Sequence, residues 1–199
     1  YPSGGGDVLM GSIITRDDAL HMRLKLAHMR LGLGVGMNDV ELVLRSLPST
    51  ALRYHAQDKT ARQLAAALQR QNAVKQLLHP AFASSPGHAH WQQLCATPEN
   101  PAGAAAGIFS VVFDAPQSQV DDFCNRLQLF KLGYSWVGHF SLVMPYALDE
   151  MRDLGRGAVL PGCLVRLCIG LEEAADLERD VAQAYGHAFG HAWRGQGVH

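Results

Sequence analysis

The sequence predicts an α/β fold in which a helical first part (residues 1–72) precedes a smaller unit of strands alternating with helices (residues 73–199). Two observations predict it. Apolar residues recur at helical spacing through most of the first part, and short β-rich runs separated by helical patterns follow. With 199 residues, of which 48% are hydrophobic, the chain is long enough for one large core or two small ones. Alternation of this kind favours a sheet with helices packed on it.

The first part begins with a candidate strand and continues as a helix. The apolar run from Asp7 to Thr15 predicts a short strand, and Thr15 or Asp17 can cap the helix after it. The apolar face of that helix is expected to consist of Leu20, Leu24, Ala27 and Leu31. Glycines at three alternate positions, 32, 34 and 36, then end the helix.

Two further helices complete the first part. Asn38, with Glu41 three residues later, resembles a capping box that opens the next helix, and Pro48 ends that helix. A long helix is predicted from about 49 to 71. Its buried face is expected to consist of Ala61, Leu64, Ala65 and Leu68.

The second part mixes strands with helices. Apolar and β-branched runs predict strands at 74–79, 108–113 and 129–132, and a further strand around Arg166. Residues 96–107, rich in Ala, Pro and Gly, predict an irregular connection. One helix is marked by Val120, Phe123, Cys124 and Leu127, and the last helix by Ala174, Leu177, Val181, Ala184 and Tyr185.

Arg166 is the one charged residue inside its apolar strand. Side chains alternate on a strand, so Leu164, Arg166 and Cys168 share one face, and Val165, Leu167 and Ile169 share the other. Burying a guanidinium is costly unless an anion meets it. Either a distant carboxylate pairs with Arg166, or a ligand does, and the planar fork suits a carboxylate held in one orientation. A structural salt bridge or an arginine facing water is the plain alternative.

Composition and charge exclude several classes of partner. The net charge is -1 and the basic residues are scattered, so there is no electrostatic footprint for nucleic acid. No apolar run is long enough to cross a bilayer, so no membrane partner is expected. The glycines at 4–6 lack the Lys-Ser/Thr ending of a nucleotide loop, and a tight turn is the better interpretation.

Cysteine and histidine patterns predict neither disulfides nor a metal site. The four cysteines show no CxxC spacing, and Cys163 and Cys168 fall on opposite faces of one strand. We expect free thiols in a reducing compartment, the cytoplasm. His187 and His191 are spaced i, i+4, but without a neighbouring acid or cysteine a solvated helix end is favoured over a metal.

Five motifs in order give the chain a family resemblance. They are Tyr1–Gly11, Leu47–Arg53, Gly107–Ser110, Tyr134–Leu142 and Leu164–Glu172. Together they resemble the C-terminal half of the pyridoxal 5'-phosphate (PLP) enzymes of cysteine and methionine metabolism, and most closely the cystathionine β-lyase branch of that family. Each motif alone is weak, whereas five in the family's order are specific. Two positions depart from the family pattern, which usually has an aliphatic residue where Pro2 stands and His or Gln where Gly5 stands.

The resemblance implies roles for four residues. Arg166 is similar to the residue that binds the substrate α-carboxylate, and Ser135 to the serine that hydrogen-bonds the lysine carrying the cofactor. Trp136 is similar to the tryptophan that lies beside the substrate in β-lyases, where synthases and γ-lyases usually have a smaller aliphatic residue. Tyr134, Ser135 and Trp136 are therefore the candidate catalytic residues. Without the resemblance, Trp136 would be interpreted as a core residue and Ser135 as a turn residue at the end of a strand.

The resemblance also implies an architecture and a cofactor. It implies the aspartate-aminotransferase-like (type I) PLP fold, with residues 1–72 forming the end of the large cofactor domain and its long connecting helix, and residues 73–199 forming the small C-terminal domain. The chain would be the C-terminal part of a longer protein, whose PLP-bearing lysine would come immediately before Tyr1. Family members usually form tetramers built from dimers.

The implied activity is β-elimination of cystathionine or related cysteine S-conjugates, which yields a thiol, pyruvate and ammonia. The nearest alternative is a γ-synthase, γ-lyase or O-acetylhomoserine sulfhydrylase of the same family. An alternative of another class is a non-catalytic fragment or interaction domain. With cystathionine, β-cleavage would yield pyruvate and γ-cleavage would yield 2-oxobutyrate. A non-catalytic fragment would yield no product.

Overall fold

A computed structural model of the chain describes residues 1–147 and 162–195. The chain forms two compact units, Tyr1–Ala51 and Leu52–His199. The division falls near the start of the long helix. The assignment of residues 1–72 and 73–199 to a large and a small domain of a longer protein stays a prediction. None of the described helices is long and apolar enough to cross a membrane.

The first unit contains two α-helices, α1 (Asp18–Arg30) and α2 (Met37–Ser46), followed by a 3-10 turn, Leu47–Ser49. The Asp17 carboxylate caps α1 by accepting a hydrogen bond from the Leu20 amide at 2.7 Å. The predicted capping box at Asn38 and Glu41 was wrong. Gly36 is the N-cap of α2 and its carbonyl accepts from the Val40 amide, so Asn38 lies inside the first turn rather than at the cap.

The strand predicted between Asp7 and Thr15 was also wrong, since this segment has no regular secondary structure. Leu9, Ile13 and Ile14 are largely exposed instead of lying on a sheet face. A strand exists only where its backbone groups find a neighbouring strand, and none of the described strands pairs with this run. A sequence pattern indicates that a segment can form a strand, but it does not show whether a neighbouring strand is available to pair with it.

Helix α3 (Thr50–Gln69) and a five-stranded sheet build the second unit. The predicted buried face of α3 is confirmed, because Ala61, Leu64, Ala65 and Leu68 all lie in the core. The described strands are β1 (Val74–Leu78), β2 (Ile108–Phe113), β3 (Lys131–Leu132), β4 (Leu142–Tyr146) and β5 (Cys163–Cys168). Their order in the sheet is β1-β2-β5-β4-β3. Neighbouring strands are antiparallel except β3 and β4, which are parallel.

Helices α4 (His88–Cys95), α5 (Gln117–Arg126) and α6 (Ala174–Phe189) complete the second unit among the described residues. The predictions of α5, of α6 and of most strands are confirmed, whereas α4 and β4 were not foreseen. Apolar side chains of α3, α5, α6 and the sheet form one core.

The central strand β5 separates two environments. Val165, Leu167 and Ile169 are fully buried in the core, which confirms the predicted alternation. Arg166 projects from the other face and is half-buried. It lies opposite Ser110 on β2 and Met144 on β4, so hydrogen-bonded neighbours fix its strand on both sides.

Candidate functional site

Arg166 is anchored by backbone carbonyls rather than by an acid. Its Nη2 donates to the carbonyl oxygens of Gly133, Tyr134 and Ser135 at 3.0, 2.9 and 3.2 Å. No carboxylate of the described residues lies within ion-pairing distance of the guanidinium. A guanidinium has five N–H donors, and in the described part of the chain only those on Nη2 are engaged. The N–H groups of Nε and Nη1 therefore remain available as donors to an anion.

Two aromatic rings flank the same guanidinium. The Cζ atom of Arg166 lies 5.4 Å from the ring centre of Trp136 and 5.7 Å from that of Tyr146. Both distances lie within the range of cation–π attraction. The rings restrict the guanidinium without neutralising its charge, which suits a site that binds an anion.

The structure brings together all four residues that the sequence singled out. Tyr134, Ser135 and Trp136 follow one another beside Arg166, and all three are exposed. Tyr134 and Trp136 retain 67% and 59% exposure. Trp136 thus lies outside the core that the described residues form. The Ser135 hydroxyl lies on the same exposed stretch, next to the carbonyl that Arg166 contacts.

The residues from Gly133 to Ser141, here called the 133–141 segment, connect β3 to β4 without regular secondary structure of their own. Side chains from elsewhere hold it. The Gln57 Nε2 donates to the Gly138 carbonyl at 2.8 Å and to the Ile169 carbonyl at 2.6 Å. The Cys168 Sγ accepts from the Val137 amide at 2.8 Å. Burial raises the pKa of the Cys168 thiol, so it remains protonated at neutral pH.

The end of the segment is fixed by Glu172. Its Oε1 accepts from the Ser141 amide at 2.7 Å and its Oε2 from the Ser141 hydroxyl at 2.8 Å. The Ser141 Oγ in turn accepts from the Gly170 amide at 2.9 Å. The close approach requires glycine at 170, because a Cβ there would meet the Glu172 Oε2 and the His139 carbonyl at 2.4 and 2.6 Å. These contacts tie the segment to the residues that follow β5.

The contacts that Gln57, Tyr146, Cys168 and Glu172 make in this site were not predicted from the sequence. Gln57 had a detectable signal, because it stands four residues before Ala61 and thus on the buried face of α3, where an amide needs partners. Tyr146 had no such signal in the sequence, because its contact with Arg166 depends on β4, which was not predicted.

The described residues contain no group of three or more His, Cys, Asp or Glu side chains able to hold a metal ion. The four cysteines, all of which lie among the described residues, form no disulfide bond.

Comparison with known proteins identifies the family. A family model described as "Cys/Met metabolism PLP-dependent enzyme" matches residues 1–186. The chain belongs to this family of PLP-dependent enzymes. The resemblance in the five motifs is thereby confirmed.

Curated relatives within the family carry different activities. A cystathionine β-lyase of Bordetella avium is 35% identical over 191 residues, which are 94% of this chain and 46% of the relative. A cystathionine γ-synthase of Mycobacterium bovis is 30% identical over 187 residues, again 94% of this chain and 46% of the relative. The chain spans about half the length of the curated relatives that it matches.

A solved structure confirms the fold class. The cystathionine γ-synthase of Xanthomonas oryzae pv. oryzae, determined in complex with cystathionine, superposes with a TM-score of 0.80 and 28% identity. The match covers 96% of this chain and 48% of that one. The prediction of an α/β, aspartate-aminotransferase-like PLP fold is therefore confirmed.

Proposed function

We propose that the whole protein of which this chain is a part is a PLP-dependent carbon–sulfur lyase. In this proposal it converts cystathionine, or a related cysteine S-conjugate, by β-elimination to a thiol, pyruvate and ammonia. The observation that carries the proposal is the Arg166 guanidinium, which the described residues hold through Nη2 and two nearby rings, with N–H donors left on Nε and Nη1.

The chemistry of this donor set fits an amino-acid substrate beside PLP. A guanidinium donates charge-assisted hydrogen bonds in fixed directions, which suits an α-carboxylate held in one orientation. When bound, PLP supplies the electron sink for breaking bonds at the α-carbon. The described residues then contribute binding and orientation, since holding the carboxylate sets the direction of the other α-carbon bonds.

Arg166 would bind the substrate carboxylate through N–H groups of its guanidinium that the carbonyls leave available. The exposed Ser135 hydroxyl would accept or donate a hydrogen bond at the lysine that carries PLP, the lysine predicted to come immediately before Tyr1. Trp136 would lie beside the substrate and shield its carboxylate from water, and Tyr134 would border the same pocket. The family resemblance supports these roles, as does the exposure of all three side chains around one cation.

The β-elimination proposal is favoured over γ-chemistry by Trp136. The sequence resemblance associates a tryptophan here with β-lyases, and the relative with 35% identity is a cystathionine β-lyase. γ-Chemistry is the second candidate, because a γ-synthase relative reaches 30% identity and a γ-synthase structure superposes closely. The cytoplasmic location and the tetramer stay predictions.

Incubating the purified full-length protein with cystathionine separates the candidates. We expect homocysteine, pyruvate and ammonia in equal amounts. Cysteine with 2-oxobutyrate would establish γ-cleavage and overturn the β-lyase proposal. A protein without products and without the visible absorption of bound PLP would be the non-catalytic alternative.

A further inference from the structure

We propose that Glu172 and Gln57 are positioning residues for Arg166, because they hold the 133–141 segment whose carbonyls fix the guanidinium. The inference rests on the proposed function, in which Arg166 binds the substrate carboxylate. Neither Glu172 nor Gln57 contacts Arg166 through any described hydrogen bond, so each would act through the segment.

The orientation of Arg166 depends on backbone that lies in a connection. A free arginine side chain populates many rotamers, and holding it in one of them costs conformational entropy. Here the ordering contacts are the carbonyls of Gly133, Tyr134 and Ser135, outside any strand or helix. If the segment moves, the three acceptors move with it, and the direction of the remaining guanidinium donors changes.

Glu172 fixes one end of this segment with both carboxylate oxygens. Ser141 is fully buried (0% exposed), so its amide and hydroxyl have no water to replace Glu172. Hydrogen bonds to an ionised acceptor are stronger than those between neutral groups. Removing the carboxylate would leave two buried donors of Ser141 unsatisfied, and the segment would shift to expose them.

Gln57 fixes the middle of the segment. It is 2% exposed, and both of its hydrogen-bond partners are carbonyl oxygens, which determines which way its amide faces. One of these carbonyls belongs to Gly138 in the segment and the other to Ile169, directly after β5. The two protons of one amide group therefore tie the segment to the strand that carries Arg166.

Substitutions that remove these ties test the proposal in the full-length enzyme. Glu172→Ala and Gln57→Met are expected to lower kcat/KM about 10- to 100-fold, the scale of a misplaced binding group. Glu173→Gln and Gln63→Leu are matched controls, since Glu173 is the exposed neighbour of Glu172 and Gln63 an exposed glutamine of the same helix. Both controls are expected to retain wild-type kinetics. Glu172→Gln, which keeps an acceptor for the Ser141 amide, should recover part of the loss.

A double-mutant cycle separates positioning from general damage. If Glu172 acts through Arg166, then Glu172→Ala should have little further effect on kcat/KM in an Arg166→Ala background. Multiplied losses in the double mutant would overturn the proposal. The cycle applies to β- or γ-cleavage alike, so failure of the proposed reaction does not affect it.

Amide hydrogen exchange gives a readout that needs neither turnover nor cofactor. In the full-length apoenzyme, peptides covering residues 133–143 should exchange faster in Glu172→Ala and in Gln57→Met than in the controls. Peptides of α5, which shares the core but not these contacts, should be unchanged. Unaltered exchange in the segment, or faster exchange throughout the protein, would contradict a positioning role.

Discussion

The centre of the Trp136 ring lies 5.4 Å from the Arg166 guanidinium carbon, although Trp136 itself is 59% exposed. An indole with this exposed fraction contributes little to the core. Its described ring contact is with the Arg166 guanidinium. Arg166 in turn keeps its charge unpaired among the described residues. Under the proposed function, this pair would meet the carboxylate of the substrate.

Arg166→Ala is expected to lower kcat/KM by at least ~100-fold, the scale of losing one charge-assisted carboxylate contact. Steady-state kinetics with cystathionine measure it. Arg179→Ala is the control, because Arg179 is an exposed arginine of α6 whose partner Asp176 lies on the same helix. Near-normal turnover in Arg166→Ala would remove the basis of the proposed function.

Trp136→Leu is expected to lower kcat/KM by a few-fold through the loss of a cation–π contact of about 0.5–1 kcal/mol. Trp136→Phe keeps an aromatic face and should lose less. Tyr146→Leu removes the opposite ring, 5.7 Å from the guanidinium carbon, and should have an effect of similar size. Equal kinetics for the Leu and Phe variants at position 136 would show that the ring does not act on Arg166.

The same Trp136→Leu variant tests the basis of reaction specificity. If a tryptophan here favours β-elimination, the variant should form more 2-oxobutyrate relative to pyruvate from cystathionine than the wild type does. The ratio of the two keto acids, measured in one reaction mixture, is the readout. An unchanged ratio would place the determinant of specificity elsewhere in the protein.

The alternation of β5 shows what could be predicted from the sequence. The core positions Val165 and Leu167 and the opposite orientation of Arg166 follow from the geometry of any strand. The hydrogen-bond acceptors of the guanidinium could not be predicted in this way. They are backbone carbonyls, which every residue has, so no residue type at 133–135 distinguishes them.

Long-range pairing limited the other predictions. The run at 7–15 has strand-forming residues but no partner among the described strands, whereas β4 forms because β5 and β3 flank it. Gln57 contacts Gly138, 81 residues along the chain, and a single sequence carries no record of such a contact. The helices were predicted better because their hydrogen bonds are local.

Gly170→Ala is expected to destabilise the protein by about 1–3 kcal/mol, the usual cost of overpacking. A Cβ at this position would lie 2.6 Å from both the His139 carbonyl oxygen and the Phe140 carbonyl carbon, and backbone atoms cannot rotate away. Gly138→Ala is the control for stability, because a Cβ there would meet no atom within 4 Å. Thermal unfolding of the two variants should differ clearly. Equal melting temperatures would contradict the close approach seen at Gly170.

His79 should make stability depend on pH. Burial, with a smaller effect of Arg62, lowers the pKa of His79 to about 4, although Asp58 opposes the shift. The Nδ1 accepts from the Ala81 amide at 3.1 Å, so the proton of the neutral ring is on Nε2, which has no partner in the described residues. The unfolded chain binds this proton near pH 6.5 and the folded one only near 4, so the contribution to stability is present above 6.5 and is lost as the pH falls towards 4.

His79→Gln removes this titration while keeping a polar side chain. The melting temperature of the variant should fall less than that of the wild type between pH 6.5 and 4. His90→Gln, at an exposed position of α4, is the control and should keep the wild-type slope. Identical slopes for all three proteins would show that His79 is not the responsible group.

Mutations on the two faces of β5 are expected to affect two different properties of the protein. Substitutions at Val165 or Leu167 change the stability of the fold, whereas those around Arg166 alter the surroundings of a half-buried cation and leave the packed interior intact. Under the proposed function, exchange of the rings at positions 136 and 146 would change how a substrate is held, with the cation retained and little loss of folding stability. Substrate preference could then vary without any change in the packing of the core.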